Sequence, residues 1–126
     1  MSPDPADPAS VPRVSVVVIG RNEGARLERC LAAIAAAHWG DVRHEVIYVD
    51  SHSSDGSRER AAALGAQVLT VERMPPNAAK ARNQGWRAAR GEFVLFLDGD
   101  TVLHADFVSK ALAALTAEPV LCAAWG

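Results

Sequence analysis

Two carboxylates stand at the end of an apolar segment, where their spacing suits a divalent cation. Asp98 and Asp100 close the run EFVLFLDGD and are separated by one glycine. Glycine permits a tight bend that brings both carboxylates toward one point, and two such charges repel each other unless a cation neutralises them. Oxygen ligands of this kind suit Mg²⁺ or Mn²⁺, which keep water ligands and bridge to phosphate oxygens of a substrate. The pair predicts a divalent metal site, and the alternative is a solvated acidic turn.

Other polar residues follow apolar runs elsewhere in the chain. Asp50 ends the run EVIYVD, where its carboxylate can accept a hydrogen bond from a ring N–H such as a nucleobase offers. Asn22 and Glu23 follow the first apolar run and either cap the next helix or line a site. Arg82, in KARNQGW, can approach a phosphate or a base. Asp55, by contrast, is more typical of a helix cap.

Apolar runs alternate with helical patterns through most of the chain. The strands are predicted at Val14–Gly20, Glu45–Asp50, Ala66–Val71, Glu92–Leu97 and Val120–Trp125, and the helices at Ala25–Ala37, from a cap within Ser53–Asp55 to Gly65, at Asn77–Arg90 and at Asp106–Ala117. This alternation predicts an α/β fold, with a mostly parallel sheet and helices on both of its faces. In such sheets ligands bind beyond the carboxyl ends of the strands, where the two aspartate motifs fall.

The composition fits one globular domain and excludes several kinds of partner. The chain has 126 residues, of which 49% are hydrophobic, with 13 Lys+Arg against 15 Asp+Glu. This balance gives no basic face for nucleic acid, and the apolar runs are too short for a transmembrane segment. Residues 1–12 are proline-rich and predict a disordered leader before a domain at 13–126. They carry no secretory signal pattern, so we expect a cytoplasmic location.

The two cysteines are too few for a disulfide framework or a metal cluster. Cys30 lies on the apolar stripe of the first predicted helix, and Cys122 lies in the last apolar run. We expect both side chains to be buried as small hydrophobic groups.

Taken together, these segments resemble the family 2 glycosyltransferases, which have the Rossmann-like GT-A fold. The resemblance rests on VSVVVIGRNE, VDSHSSDGS and KARNQGWRAARGEFVLFLDGD, in this order and at this spacing. It implies transfer of a sugar from a nucleoside diphosphate donor to an acceptor, with inversion at the anomeric carbon. A UDP-sugar is the favoured donor, and the acceptor is unknown.

The resemblance also implies roles for the polar residues. The D-x-D pair, Asp98 and Asp100, would meet the ribose and the metal-bound diphosphate. The loop with Asn22 and Glu23 would line the nucleotide pocket. The acid at position 50 would contact the base, and the arginine at position 82 would lie along the nucleotide.

No catalytic residue is identified in the chain. In the family, the general base that activates the acceptor is an acidic residue well downstream of the D-x-D. The acids after Asp100 are Asp106 and Glu118, both expected on a surface helix or at its end. The chain also stops on an apolar run whose strand edge would need a neighbour. We therefore expect a general base beyond residue 126, and a chain truncated at its C-terminus that supplies the donor-binding half.

Two alternatives remain open from the residues alone. The chain could be a non-catalytic fragment that binds nucleotide without turnover. It could also be a phosphatase of the haloacid dehalogenase class, because residues 98–102 (DGDTV) fit that motif. There, however, the motif opens the fold and a downstream lysine completes the site, whereas here only Lys110 follows it. The loop GRNEG is a poor match to the glycine-rich basic loop of sugar-1-phosphate nucleotidyltransferases.

Overall fold

Four parallel strands form the central sheet. The structure is a computed structural model that describes residues 11–118 and residue 123. The strands are β1 (Val14–Gly20), β2 (His44–Asp50), β3 (Gln67–Thr70) and β4 (Phe93–Asp98), in the order β3-β2-β1-β4. Every neighbouring pair is parallel. The predicted parallel sheet is confirmed, and its central strand β1 is flanked on both sides.

Helices cover both faces of this sheet. They are α1 (Ala25–Ala36), α2 (Ser57–Ala63), α3 (Ala78–Ala88) and α4 (Phe107–Ala117). Alternate residues of a strand point to opposite faces, and β1 separates two apolar clusters in this way. Val16 and Val18 belong to the cluster that includes Leu27 of α1, whereas Val17 belongs to the one that includes Ala81 of α3. β1 is therefore buried on both faces, as its continuous β-branched run predicts.

Glycine allows helix α3 to lie very close to the sheet. A Cβ at Gly85 would approach Val17 Cγ1 roughly 1 Å more closely than the ~3.5 Å of an ordinary carbon–carbon contact. It would also lie 3.1 Å from Val49 Cγ2. Both valines are fully buried and cannot move aside. Only glycine fits here, and the close approach fixes the position of Arg82, which lies one turn earlier on α3.

The boundaries of the described elements agree with the predictions to within a few residues, and at the starts of α2 and α3 the difference comes from the residue that precedes the helix. Asn77 lies outside α3, because its side chain accepts the Lys80 N–H as an N-cap. Helix α2 begins at Ser57, after the left-handed Gly56. The predicted cap within Ser53–Asp55 is therefore wrong, since Gly56 holds the cap position, although Asp55 Oδ1 accepts the Ser57 N–H at 3.1 Å from one residue further out.

Some predictions fall outside the described residues. These are residues 1–10 of the predicted leader, most of the predicted strand Val120–Trp125, and Cys122. The predicted burial of Cys30 is confirmed, since its side chain is fully buried against the sheet. In the described part of the chain, no helix combines the length and the apolar character needed to cross a membrane.

Candidate functional site

The carboxyl ends of β1, β2 and β4 bring the predicted site residues to one edge of the sheet. In the strand register, Gly20 at the end of β1 pairs with Asp50, and Ile19 pairs with Asp98. The two aspartates therefore flank the end of the central strand on opposite sides. The loop that carries Asn22 and Glu23 leaves β1 between them.

Asp98 and Asp100 lie on a tight turn at the end of β4. The Gly99 N–H donates to the Ile19 carbonyl at 2.7 Å, and the Thr101 N–H donates to the Asp98 carbonyl at 2.9 Å. A Cβ on Gly99 would lie 3.1 Å from both Glu23 Cγ and the Ile19 oxygen, so glycine lets the turn pack against β1. The turn leaves both aspartates exposed to solvent.

The donor set of this turn fits a cation that shares its coordination with a substrate. Among residues 11–118 and 123, no group of three or more His, Cys, Asp or Glu side chains could hold a metal ion. Two exposed carboxylates do suit Mg²⁺ or Mn²⁺, because these ions keep several waters and bind one or two carboxylates together with substrate phosphates. Asp98 and Asp100 fit such an ion.

Arg82 reaches the same turn from helix α3. Its Nη2 lies 3.2 Å from Asp98 Oδ1, and the side chains are 43% and 62% exposed. Exposed ion pairs of this kind contribute little to stability, so the guanidinium can change partners at small cost. Arg82 thus stands beside the carboxylate pair, with donors suited to phosphate.

The β1–α1 loop presents Glu23 and Asn22 rather than using them as caps of α1. The residue that precedes α1 is Gly24, which has no side chain to cap the helix. Glu23 Oε2 accepts a hydrogen bond from Arg26 Nε at 2.8 Å, and this bond raises the pKa of Arg26. Asn22 Oδ1 accepts instead from the Ser54 N–H of the β2–α2 loop, at 2.8 Å. Of the two alternatives for these residues, the helix-capping one is wrong.

Asp50 lies beneath the surface of this edge and is fully buried. Its Oδ1 accepts the Tyr48 and Ser53 hydroxyls, each at 2.6 Å, and its Oδ2 accepts the Ser53 N–H at 2.7 Å. Arg58 Nε lies 3.8 Å from Oδ2. Burial and the bond to Asp50 raise the pKa of the Tyr48 hydroxyl, which stays a donor. The carboxylate therefore has a structural function here, beside the base contact that the sequence suggests.

Two serines connect the loops, a role that differs from the helix cap that the sequence predicts within Ser53–Asp55. Ser53 Oγ accepts the Asn22 N–H at 2.8 Å, and Ser57 Oγ accepts the Gly24 N–H at 3.2 Å. Ser57 Oγ also donates to Asp55 Oδ1 at 2.6 Å, and this bond lowers the pKa of Asp55. The available signal was the run SHSSDGS, since short hydroxyl side chains after a strand can pair with free backbone groups.

A comparison with protein-family models decides which family this arrangement represents. The model described as "Glycosyl transferase family 2" matches residues 15–125. The chain belongs to glycosyl transferase family 2. The predicted resemblance is confirmed, and the phosphatase alternative is wrong.

The curated relatives of this family 2 chain include named glycosyltransferases. Glycosyltransferase AglE of Haloferax volcanii is 27% identical to it over 112 residues, which are 86% of this chain and 37% of AglE. Glucosyl-3-phosphoglycerate synthase of Mycobacterium tuberculosis is 35% identical over 95 residues, or 71% of this chain and 29% of the synthase. The family 2 chain thus spans about a third of the length of these relatives.

Solved structures share its fold. The mannosyltransferase PcManGT from Pyrobaculum calidifontis, in complex with GDP-Man and Mn²⁺, matches with a TM-score of 0.77 and 28% identity, over 95% of this chain and 36% of that one. The M. tuberculosis synthase, in complex with Mn²⁺, UDP and glucosyl-3-phosphoglycerate, matches with a TM-score of 0.70 and 32% identity, over 85% of this chain and 41% of that one. These matches confirm the predicted Rossmann-like GT-A fold of the family 2 chain.

Proposed function

We propose that this chain binds a nucleoside diphosphate sugar together with a divalent cation, and that it supplies the donor-binding half of an inverting glycosyltransferase. The observation that carries the proposal is the meeting of Asp98, Asp100 and Arg82 beside the β1–α1 loop, at the carboxyl edge of a parallel sheet. Two fold relatives were solved with Mn²⁺ and a guanosine or uridine diphosphate ligand, which supports this class of donor.

Asp98 and Asp100 would hold the cation, Mn²⁺ or Mg²⁺. When bound, such an ion offsets the negative charge that develops on a departing nucleoside diphosphate. The two aspartates are exposed and lie on one short turn, an arrangement that would suit an ion shared with substrate phosphates. Arg82 would exchange its weak pairing with Asp98 for a charge-assisted bond to the nucleotide.

The nucleoside would lie over the end of β1, between the loops that follow β1 and β2. Asn22 and Glu23 would line this pocket from one side. Asp50 forms its floor, where Oδ2 accepts one backbone N–H and faces Arg58 at 3.8 Å. A base N–H could reach this oxygen by displacing Arg58. We favour UDP-sugars as donors, with GDP-sugars as the first comparison.

The acceptor and its general base are not assigned to the described residues. Asp106 at the start of α4 is bound to His38 Nδ1 at 2.7 Å, and Glu118 follows the end of α4. An inverting transfer needs a base on the face of the sugar opposite the leaving group. We propose that this base lies beyond residue 126 of the sequence or on a partner chain, so the test concerns donor binding first.

Calorimetric titration of UDP, and then of GDP, into the 126-residue chain tests the proposal. We expect saturable binding with Mn²⁺ that is lost with EDTA. Asp100→Asn should weaken the Mn²⁺-dependent binding by more than about tenfold, because even outer-shell partners of a metal are worth roughly 10–100-fold. Asp41→Asn is the matched control, since it removes the same charge from an exposed loop before β2.

Two results would contradict the proposal. One is nucleotide binding that does not change between Mn²⁺ and EDTA. The other is no binding of either nucleotide by a chain whose circular dichroism shows a folded α/β protein. If the chain binds UDP with Mn²⁺ as expected, a measurement of UDP release from UDP-glucose separates an active enzyme from a fragment that only binds.

A further inference from the structure

The buried hydroxyl of Ser53 joins the loop that follows β1 to the loop that follows β2. Ser53 Oγ accepts the Asn22 N–H at 2.8 Å and donates its own proton to Asp50 Oδ1 at 2.6 Å. Ser53 is only 7% exposed, and Asp50 is fully buried. The hydrogen bond to the carboxylate is charge-assisted and therefore stronger than a neutral one. The backbone of the first loop is thus tied, through one side chain, to a fixed anion on the second strand.

The backbone of Asn22 is in the left-handed region, where local hydrogen bonds decide which conformation is kept. Its φ is +53°, a conformation that glycine and asparagine adopt more readily than other residues. Two contacts hold it there, and both come from the β2–α2 loop. Ser53 accepts its N–H, and the Ser54 N–H donates to its Oδ1 at 2.8 Å. The shape of the β1–α1 loop is therefore set from the neighbouring loop.

The anchor of this arrangement is itself held firmly. Asp50 carries hydrogen bonds from the Tyr48 hydroxyl and from both the N–H and the hydroxyl of Ser53. No buried side-chain polar atom in the described part of the chain lacks a hydrogen-bond partner. Removal of the Ser53 hydroxyl would leave the Asn22 N–H without its partner and Asp50 Oδ1 with one donor fewer. The β1–α1 loop would then lose its hydrogen-bonded connection to the buried Asp50 carboxylate.

We infer that Ser53 is a positioning residue that presents Asn22 and Glu23 to the nucleotide in a preformed shape. This inference rests on the proposed donor site and adds a determinant of its affinity. A loop that is already ordered loses less conformational freedom when a ligand binds, and so favours binding. Ser53 acts through Asn22, without touching the nucleotide itself.

The test compares three variants of the 126-residue chain. Ser53→Ala removes the hydroxyl, and Ser53→Thr keeps it. Ser54→Ala is the matched control, because Ser54 is exposed and contributes to this contact through its backbone N–H. NMR measures hydrogen exchange of the Asn22 amide, and calorimetry measures the affinity for UDP or GDP with Mn²⁺.

For Ser53→Ala we expect exchange of the Asn22 amide to rise about tenfold or more, and nucleotide affinity to fall by a similar factor. Ser53→Thr should recover most of both losses, and Ser54→Ala should behave like the wild type. Circular dichroism checks that each variant is folded. If Ser53→Thr does not fold, the contrast between the two alanine variants still decides.

The outcomes separate this inference from the proposed function. If the wild type binds nucleotide and Ser53→Ala leaves the Asn22 exchange rate unchanged, the tether is wrong while the donor site stands. If exchange rises but affinity does not change, Ser53 is structural only, and the inference is overturned. If the wild type binds neither nucleotide with Mn²⁺, the proposed function fails and the positioning role fails with it.

Discussion

Replacement of Gly85 by alanine tests how closely helix α3 is seated on the sheet. Alanine is the better helix former and would stabilise an exposed helical position by about 1 kcal/mol relative to glycine. At Gly85, however, the new methyl group would overlap Val17 Cγ1 by roughly 1 Å and crowd Val49 Cγ2. Overpacking of this kind costs about 1–3 kcal/mol.

The overpacking should outweigh the gain in propensity. Both valines are fully buried on the two central strands of the sheet, so neither can move aside without disturbing the core on the other face. An overlap of roughly 1 Å with a fully buried side chain belongs in the upper part of that range, about 2–3 kcal/mol, from which the propensity gain of about 1 kcal/mol is subtracted. We therefore expect Gly85→Ala to lower the free energy of unfolding by about 1–2 kcal/mol. For a chain of this size, that corresponds to a fall in Tm of roughly 4–10 °C.

Thermal and urea unfolding followed by circular dichroism measure the effect. Asn83→Ala is the control, because Asn83 is exposed on the same helix and its replacement changes propensity without adding to the core. Its Tm should stay constant or rise slightly. If Gly85→Ala were as stable as the wild type, α3 would not be seated at this distance, and the placement of Arg82 beside Asp98 would lose its support.

Two further predictions concern titratable groups, one beneath the turn, where Cys30 Sγ lies 3.8 Å from the Asp98 carbonyl oxygen, and one at the start of α4. Burial raises the pKa of the Cys30 thiol to about 11. In a Cys122→Ser variant, this thiol should therefore react with a disulfide reagent at pH 8 only as fast as the protein opens. Rapid labelling without denaturant would contradict this prediction. The hydrogen bond with His38 lowers the pKa of Asp106 below its ordinary value of 3.8. Ionised Asp106 therefore stabilises the folded state above pH 3.8, and this stabilisation is lost as the pH falls through the lowered pKa. His38→Ala should therefore raise the pKa of Asp106, measured by NMR titration, and an unchanged midpoint would refute the pairing.

The fold follows closely from the pattern of the sequence, because that pattern records burial directly. The β-branched run Val14–Gly20 is buried on both faces, and this is the property that makes it the central strand. The helix ends were less predictable. The composition of Asn77–Arg90 predicts that Asn77 belongs to helix α3, but its side chain caps the helix from outside. The start of α3 is set by one hydrogen bond, from the Lys80 N–H to Asn77 Oδ1, and the amino-acid composition of the segment does not reveal that bond.

The candidate site was predictable where it depends on spacing and unpredictable where it depends on register. The D-x-D turn follows from two acids around a glycine after a strand. The function of Ser53 depends on Gly20 lying opposite Asp50, which places the two following loops side by side. This register is a property of the paired strands, and neither loop shows it alone. The burial of Asp50 depends on the same pairing of β1 with β2, and its position at the end of a strand sequence does not reveal it.

The three aspartates at this edge have different surroundings, which favour the proposed cation site at the turn over one at Asp50. Asp50 is fully buried, and its oxygens already accept three hydrogen bonds from Tyr48 and Ser53. Asp98 and Asp100 have no comparable set of donors within the described residues, and Arg82 makes one weak, exposed bond to Asp98. In the proposed site, a cation would offset the repulsion between these two carboxylates. One acid at this sheet edge would then order the loops while two hold the cation, and the variants at Ser53 and Asp100 should separate these effects.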